Sequence, residues 1–328
     1  MFISLYITIL INIIFFIFFD RIQKKINIYD KPNTRLKIHT KSISSAGGIL
    51  LTVCLLIYFL LIIIGKDQNF FTFKENFSLM IFILSIFLVG IYDDKYNLQP
   101  YTRLILSTFL ILILLLLNES FIIKELRFSF LDYRLPTKNF SILFTIICIL
   151  LFINACNMFD GINLQFGLYV LFLSIIFISK QTLPNLQLII VIFSFCFLYF
   201  NLKKKLFMGN NGTVVSGALF SILFIRFYNL ENDLLYADEI FLYMSIPGFD
   251  LIRVSFVRLS KGLNMFSGDK NHIHHLLFSK YKLKYTIIII QTLIIFPVIY
   301  SFLTQNYLNA IIISFCFYIL VILYAKRT

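Results

Sequence analysis

Charged residues and paired cysteines are both scarce in this sequence, and each shortage excludes a class of protein. Only 14% of the 328 residues are charged and 59% are hydrophobic. A soluble domain is about 25% charged and about 45–50% apolar, so the composition excludes a soluble globular enzyme and a disordered chain. The five cysteines are scattered and form no Cys-x-x-Cys pair, which argues against a disulfide framework or a cysteine metal site.

Long apolar segments take the place of charge. A membrane-spanning helix needs about 20 mostly apolar residues. One stretch, 121–138, instead alternates in polarity and contains Pro136, which predicts an extended or hairpin excursion outside the bilayer. No repeat divides the chain, so we expect an all-α polytopic membrane protein, with one integral membrane domain over 1–328. We predict eleven spans, near residues 2–19, 46–64, 77–92, 103–118, 139–156, 162–179, 184–200, 213–228, 236–256, 285–303 and 307–324.

Lysine and arginine predict the orientation of these spans, because cytoplasmic loops carry an excess of both residues. If the N-terminus lies outside, 21 of the 29 basic residues fall in the inside segments. The same rule explains the net charge of +13 without a nucleic-acid partner. We therefore expect the C-terminus inside and a location in the cell (inner) membrane.

Five polar clusters fall on the predicted cytoplasmic face. They are dense in aspartate, asparagine, glycine and histidine, as a site at the cytoplasmic membrane surface would require. Ordinary loops of a span-rich protein can be shorter and less polar. The clusters lie at 30–39, 93–103, 154–163, 203–213 and 258–275.

Asp93 and Asp94 directly follow an apolar segment that ends at Tyr92. Two adjacent carboxylates at a hydrocarbon boundary are costly unless a cation neutralises them. Mg²⁺ is the natural partner, because it takes oxygen ligands that it shares with substrate phosphates. The alternative is a solvated helix end in which one aspartate pairs with Lys95.

Asn154, Asn157 and Asp160 recur at every third position, which places them on one stripe of a helix. An apolar span would then end in three stacked polar side chains. These side chains could simply cap the helix end. An aspartate in register with two amides favours a functional site instead.

The segment 207–213 contains Gly209 and Gly212 and precedes a predicted span. Glycine allows close backbone approach, and the N–H groups of a helix N-terminus attract phosphate. The lysines at 203–205 add positive charge. Taken alone, the segment is more typical of a tight turn beside cytoplasmic lysines.

Two further clusters offer groups that bind anions. Three of the four histidines are His272, His274 and His275. They could ligate Zn²⁺, but no cysteine or glutamate lies nearby, so anion binding through imidazole or imidazolium N–H groups is favoured. Lys31, in the cluster 30–39, contacts either anionic lipid heads or the phosphate of a specific lipid substrate.

Taken in order, these segments resemble the polyprenyl-phosphate N-acetylhexosamine-1-phosphate transferase superfamily, of the glycosyltransferase family 4 type. The set runs through most of the chain, and the HIHH ending resembles the undecaprenyl-phosphate N-acetylglucosaminyl-1-phosphate transferase branch. The matching motifs are DKPNTRLKIH…AGG at 30–48, DD…R at 93–103, NxxNxxDGxN at 154–163, FMGNNG at 207–212 and PxxD…RxxxG…FxxDxxHIHH at 247–275.

The resemblance implies a reaction and a set of partners. A sugar-1-phosphate passes from a UDP-N-acetylhexosamine, such as UDP-GlcNAc, to polyprenyl (undecaprenyl) phosphate, and UMP is released. The product would initiate a lipid-linked surface polysaccharide, such as O-antigen or a cell-wall polymer. Mg²⁺ is the implied cofactor, with Mn²⁺ as its substitute, and a homodimer is left open.

The resemblance also implies roles for individual residues. Asp93, Asp94 and Asp160 would serve catalysis and, with Asn210, the metal. The lipid phosphate would meet Lys31 and Arg103. Nucleotide and sugar would be bound by Asn154, Asn157, Asn163, His272, His274 and His275.

Two departures from the family pattern keep other functions open. The family usually has aspartate where this chain has Asn210, and a second aspartate and a glycine where Asn163 and Leu164 stand. An amide oxygen can ligate Mg²⁺ but brings no negative charge. One alternative is a catalytically inactive family member. The other is a transporter of lipid-linked sugars, whose polar residues would lie near the middle of the bilayer.

Overall fold

The computed structural model describes residues 3–32, 41–67, 71–230, 235–265 and 269–326. These ranges form helices and four short strands. The strands are β1 (Tyr29–Asp30), β2 (Ile43–Ser44), β3 (Glu125–Leu126) and β4 (Leu135–Pro136). The α-helices are α1 (Ile3–Ile17), α2 (Phe19–Ile26), α3 (Gly47–Ile63), α4 (Phe73–Tyr96), α5 (Pro100–Leu117), α6 (Ser141–Phe159), α7 (Gln165–Ser179), α8 (Pro184–Leu202), α9 (Gly209–Tyr228), α10 (Ala237–Ser260), α11 (Ile273–Phe278), α12 (Leu283–Thr304) and α13 (Tyr307–Lys326).

The prediction of an all-α polytopic membrane protein is confirmed. Within the described residues, eight helices are long and apolar enough to cross a membrane, or nine if α1 and α2, which meet at 87°, form one broken span. Each of the eleven segments predicted as spans contains a helix. Three of those helices are short, however, because α1 and α7 have 15 residues each and α3 has 17. All five cysteines are free, as their spacing predicted.

The strands form two small antiparallel hairpins. In the excursion predicted at 121–138, Leu126 of β3 lies opposite Leu135 of β4, so the predicted hairpin is confirmed. In the other hairpin, Tyr29 of β1 lies opposite Ser44 of β2. The Phe207 N–H donates to the Ser44 carbonyl at 2.8 Å, which ties this hairpin to the start of α9.

α9 is the central helix, and nearly all its residues are buried. Its first turn is held between α3 and α4 at contacts that admit no side chain. A Cβ added to Gly48 of α3 would lie 2.3 Å from the Cα of Gly212, and one added to Gly90 of α4 would lie 2.5 Å from the Cα of Asn211. Close packing therefore fixes the N-terminus of α9 against the ends of two neighbouring helices.

Helix termination brings polar groups to one end of the bundle. α4 starts after a capping box between Thr72 and Glu75. It ends at Tyr96, and its C-terminal cap, Asn97, adopts a left-handed conformation with φ of 51°. α6 ends at Phe159, and Asp160 is its C-terminal cap. The last turns of α4 and α6 and the first turn of α9 consequently meet at the same end of the protein.

Candidate active site

A cavity of about 480 Å³ opens where α4, α6 and α8 end and where α9 and α12 begin. Each of the five polar clusters singled out in the sequence contributes at least one lining residue, and the first contributes Asp30. Six of the twelve candidate site residues line the cavity. They are Asp94, Asn157, Asp160, Asn163, Asn210 and His275.

Asp94 faces the first turn of α9. Its carboxylate accepts hydrogen bonds from the backbone N–H of Asn210 at 2.8 Å and of Asn211 at 3.0 Å. The side-chain amide of Asn211 donates to the same carboxylate. The sequence suggested that the N-terminus of α9 could bind phosphate. In the structure, the anion at this N-terminus is the Asp94 carboxylate. Gly209 adopts a φ of +74°, and a Cβ there would lie 2.8 Å from an Asp94 oxygen.

Asp160 has the least compensated charge in the cavity. Within the described residues no hydrogen bond reaches its carboxylate, and burial together with the charges of Asp94 and Asp30 raises its pKa to about 7. Neighbouring carboxylates that disfavour each other's ionisation are relieved by a cation. Three acidic residues around a polar cavity therefore form a cation-attracting site.

The donor set fits Mg²⁺ better than Zn²⁺. In the described part of the chain, no three His, Cys, Asp or Glu side chains lie close enough together to enclose an ion. Zn²⁺ requires three or four protein ligands, whereas Mg²⁺ keeps several waters and is held by one or two carboxylates and the substrate phosphates. Asp94 and Asp160 can supply these carboxylates, and the amides of Asn157 and Asn210 line the same cavity.

Asp93 and Arg103 lie outside the cavity and bind each other. The Arg103 guanidinium donates to the Asp93 carboxylate at 2.9 Å, and the Leu98 N–H donates to the same side chain at 2.9 Å. Asp93 is only 4% exposed. This contact closes the turn between α4 and α5. It leaves Asp93 and Arg103 away from the cavity, whereas the family resemblance implied a metal ligand and a lipid-phosphate contact.

The three asparagines of the second cluster have different surroundings. Asn157 lines the cavity and accepts a hydrogen bond from the Thr213 hydroxyl at 2.8 Å. Asn163 also lines it and donates to the backbone carbonyl of Asn201. Asn154 instead donates to the carbonyl of Leu150 at 2.7 Å within α6. The helical stripe thus brings Asn157 and Asp160 together at the site and leaves Asn154 one turn away.

The three histidines are also separated by the fold. His275 lines the cavity, His274 is buried against Gly161, and His272 is bonded to α10. Burial lowers the pKa of His275 to about 4 and lowers that of His274 as well. Burial thus favours a neutral imidazole at His275, which can donate or accept a hydrogen bond, over the imidazolium form considered from the sequence.

The first cluster is only partly described. Lys31 is exposed and does not line the cavity, and positions 33–40 and 266–268 lie outside the described residues. Sequence reasoning did not select Asp30, Asn97, Asn201 or Lys204, all of which line the cavity. Asp30, Asn97 and Lys204 lie inside clusters that the sequence singled out, and Asn201 lies just before one, so the clusters themselves were the available signal.

Comparison with known proteins supports the same family. A model of glycosyl transferase family 4 matches residues 76–228. A probable undecaprenyl-phosphate N-acetylglucosaminyl 1-phosphate transferase of Bacillus subtilis is 26% identical over 267 residues, which cover 79% of this chain and 72% of the relative. An undecaprenyl-phosphate alpha-N-acetylglucosaminyl 1-phosphate transferase of Thermotoga maritima is 29% identical over 260 residues, covering 78% and 75%.

The protein of Escherichia coli with the same name as the Thermotoga relative is 25% identical over 276 residues, which cover 80% of this chain and 72% of the relative. Each of the three matches covers about four fifths of this chain. They confirm the resemblance to the superfamily, and to this branch of it, that was drawn from the motifs.

Proposed function

We propose that this relative of glycosyl transferase family 4 transfers N-acetylglucosamine-1-phosphate from UDP-GlcNAc to undecaprenyl phosphate and releases UMP. The observation that carries the proposal is the shared cavity, to which five clusters separated along the chain each contribute a polar residue. The names of three relatives, which specify this donor sugar and acceptor lipid, support the choice of substrates. The product would start a lipid-linked surface polysaccharide such as O-antigen or a cell-wall polymer.

We further propose that the cavity faces the cytoplasm from the inner membrane. Twenty-one of the 29 basic residues support the orientation with the N-terminus outside. In this topology all eleven predicted spans cross the bilayer, including the short helices α3 and α7, and α1 crosses before the bend to α2. A cytosolic nucleotide sugar and a membrane lipid could then reach one cavity from two sides.

The chemistry follows from the charges that must meet. The acceptor phosphate is already anionic at neutral pH, so the reaction needs little general-base assistance, and its barrier is largely repulsion between anions. Mg²⁺, or Mn²⁺ in its place, held by Asp94 and Asp160, would neutralise the diphosphate and the developing charge.

The chain's own residues would supply binding and orientation. Asp94 is fixed by the first turn of α9, and Lys204 and His275 can contact phosphate oxygens from the cavity wall. Because Asp94 is held before substrate arrives, its charge is in place without reorganisation.

Release of UMP tests the proposal. Purified full-length protein should release UMP from UDP-GlcNAc only when polyprenyl phosphate and Mg²⁺ are both present, and less from UDP-glucose. No release from any UDP-sugar would favour the inactive family member, for which Asn210 is the support. The transporter is not favoured, because the cavity forms at helix ends and not in the middle of the bundle.

A further inference from the structure

The segment 269–275, here called the histidine segment, joins the cavity to the second half of α10. Its far end, His275, lines the cavity. Its near end is bonded to α10, because the Arg258 guanidinium donates to the Asp269 carboxylate at 2.9 Å. The segment therefore spans the distance between α10 and the candidate active site.

Asp250 of α10 is the main anchor of this segment. It is 2% exposed. Its carboxylate contacts the His272 Nδ1 at 2.7 Å and accepts from the Ile273 N–H at 3.1 Å. It also accepts from the Arg253 guanidinium at 2.7 Å and the Tyr318 hydroxyl at 2.8 Å. Two of its four partners thus belong to the histidine segment, and the other two hold the carboxylate in place.

The ring of His272 is fixed at both nitrogens. The Arg258 Nη2 lies 3.3 Å from His272 Nε2, and a guanidinium can only donate. Nε2 must therefore accept, so the ring proton lies on Nδ1 and is donated to Asp250. Both ring nitrogens of His272 thus have a protein partner, and neither is left for a substrate.

The histidine segment lies directly against the turn that follows α6. A Cβ added to Gly161, the residue after Asp160, would lie 1.8 Å from His274 Nε2. The His274 and His275 ring centroids are 4.3 Å apart. The position of His272 is thereby transmitted through His274 to His275 and to the backbone beside Asp160.

We propose that Asp250 and His272 are positioning residues, which hold the histidine segment so that His275 alone of the three histidines contacts the bound UDP-sugar. The inference rests on the proposed function for its kinetic test only. It divides three neighbouring histidines into an anchor, a packing residue and a substrate contact.

Steady-state kinetics of the full chain in nanodiscs test this division. Asp250→Ala should raise the KM for UDP-GlcNAc by roughly 10- to 100-fold, the range found when a partner that orients a metal-binding histidine is removed. The KM for undecaprenyl phosphate should stay within twofold of its parent value. Asp250→Asn, which keeps an oxygen that accepts from His272, should recover part of the loss.

Asp238→Ala is the matched control. Asp238 is also a buried aspartate of α10 and accepts from the Ser129 N–H at 3.0 Å, but it lies at the other end of the helix. This variant should lower the yield of folded protein and leave both KM values unchanged. If Asp250→Ala behaves like it, the anchor is merely structural and the proposal is overturned.

A spectroscopic measurement tests the anchor independently of activity, even if the parent releases no UMP. The parent protein is labelled with ¹⁵N-histidine, and the four histidines are assigned through single His→Gln variants. Protonated and unprotonated ring nitrogens resonate at well-separated frequencies. His272 should show a protonated Nδ1 and an unprotonated Nε2, and the pattern should be lost in Asp250→Ala. A protonated Nε2 in the parent would contradict the proposal.

Discussion

Adjacent residues in the same motif can have unrelated roles, as Asp93 and Asp94 show. Neighbours on a helix point about 100° apart, so two consecutive aspartates cannot face one site equally. Asp94 faces the cavity and the first turn of α9, while Asp93 faces α5 and binds Arg103. The motif therefore places one acid at the cavity and the other against α5.

Substitution of the three aspartates should separate these roles. Asp94→Asn and Asp160→Asn should each lower UMP release per folded molecule by at least about 100-fold, the usual effect of removing one preorganised electrostatic group. Asp93→Asn should mainly lower the Tm, because Arg103 then loses its buried partner. Turnover and thermal unfolding of the same preparations give both quantities. A large loss of turnover at unchanged Tm in Asp93→Asn would return Asp93 to the reacting groups.

Asn210 offers a direct test of the metal position. A unit charge about 4 Å from another interacts by about 4 kcal/mol at an effective dielectric of about 20, before desolvation and repulsion among the acids reduce the effect. Asn210→Asp should therefore lower the Mg²⁺ concentration needed for half-maximal activity, and Asn210→Ala should raise it. The same change at Asn154, outside the cavity, should leave the Mg²⁺ dependence as it was. If Asn210→Asp and Asn154→Asp give the same Mg²⁺ titration, Asn210 is not at the metal.

At the scale of whole elements, hydropathy predicted which segments form helices but not where the helices begin or how they pack. α9 begins at Gly209, four residues before the predicted start at Thr213. Glycine is a poor helix former, and the early start is stabilised by contacts with Asp94 and by tight packing on α3 and α4. The bend between α1 and α2 was likewise absent from the apolar pattern of residues 2–19.

The site was predictable to a similar depth. Motif composition identified the five clusters, and helical spacing correctly placed Asn157 beside Asp160. Tertiary contacts decided the rest, because Asp93 binds Arg103 of α5 and His272 binds Asp250 of α10. Asp30 lines the cavity because β1 pairs with β2. The sequence shows no strand pattern there, so this pairing could not be predicted.

The turn after α6 should tolerate no side chain at Gly161. Gly161→Ala would force its Cβ into His274 and displace the histidine segment, so we expect at least a tenfold loss of UMP release. Gly248→Ala, where a Cβ on α10 would meet nothing within 4 Å, should be neutral. The double variant Gly161→Ala/His274→Ala should regain part of the activity lost by Gly161→Ala, since the clash is removed. Strictly additive losses would show that the two residues do not interact.

At the scale of the molecule, the polar cavity opens at one end of the helical bundle, and two buried ion pairs link helices at the other end. Arg226 at the end of α9 binds Glu75 at the start of α4 at 2.8 Å, and Lys180 binds Glu239 at the start of α10 at 2.6 Å. These pairs lie at the opposite helix ends from the cavity. The polarity of the bundle agrees with a protein that works from one side of a membrane.

Topology is the prediction that belongs to this scale. A reporter fused after Thr328 should be cytoplasmic, on the same side as a tag inserted near Lys261. A tag in the β3–β4 hairpin should be outside and serves as the internal control. Finding the tag near Lys261 outside would separate the cavity from cytosolic UDP-sugars and contradict the proposed function.

The most direct test of the central claim follows the two phosphates of the donor. UDP-GlcNAc labelled with ³²P in either the α- or the β-phosphate is incubated with the purified protein, undecaprenyl phosphate and Mg²⁺. The account predicts that the β-label enters the lipid and that the α-label leaves as UMP, because the bond between the two phosphates breaks. Release of both labels together as UDP, or retention of both labels in UDP-GlcNAc, would contradict it.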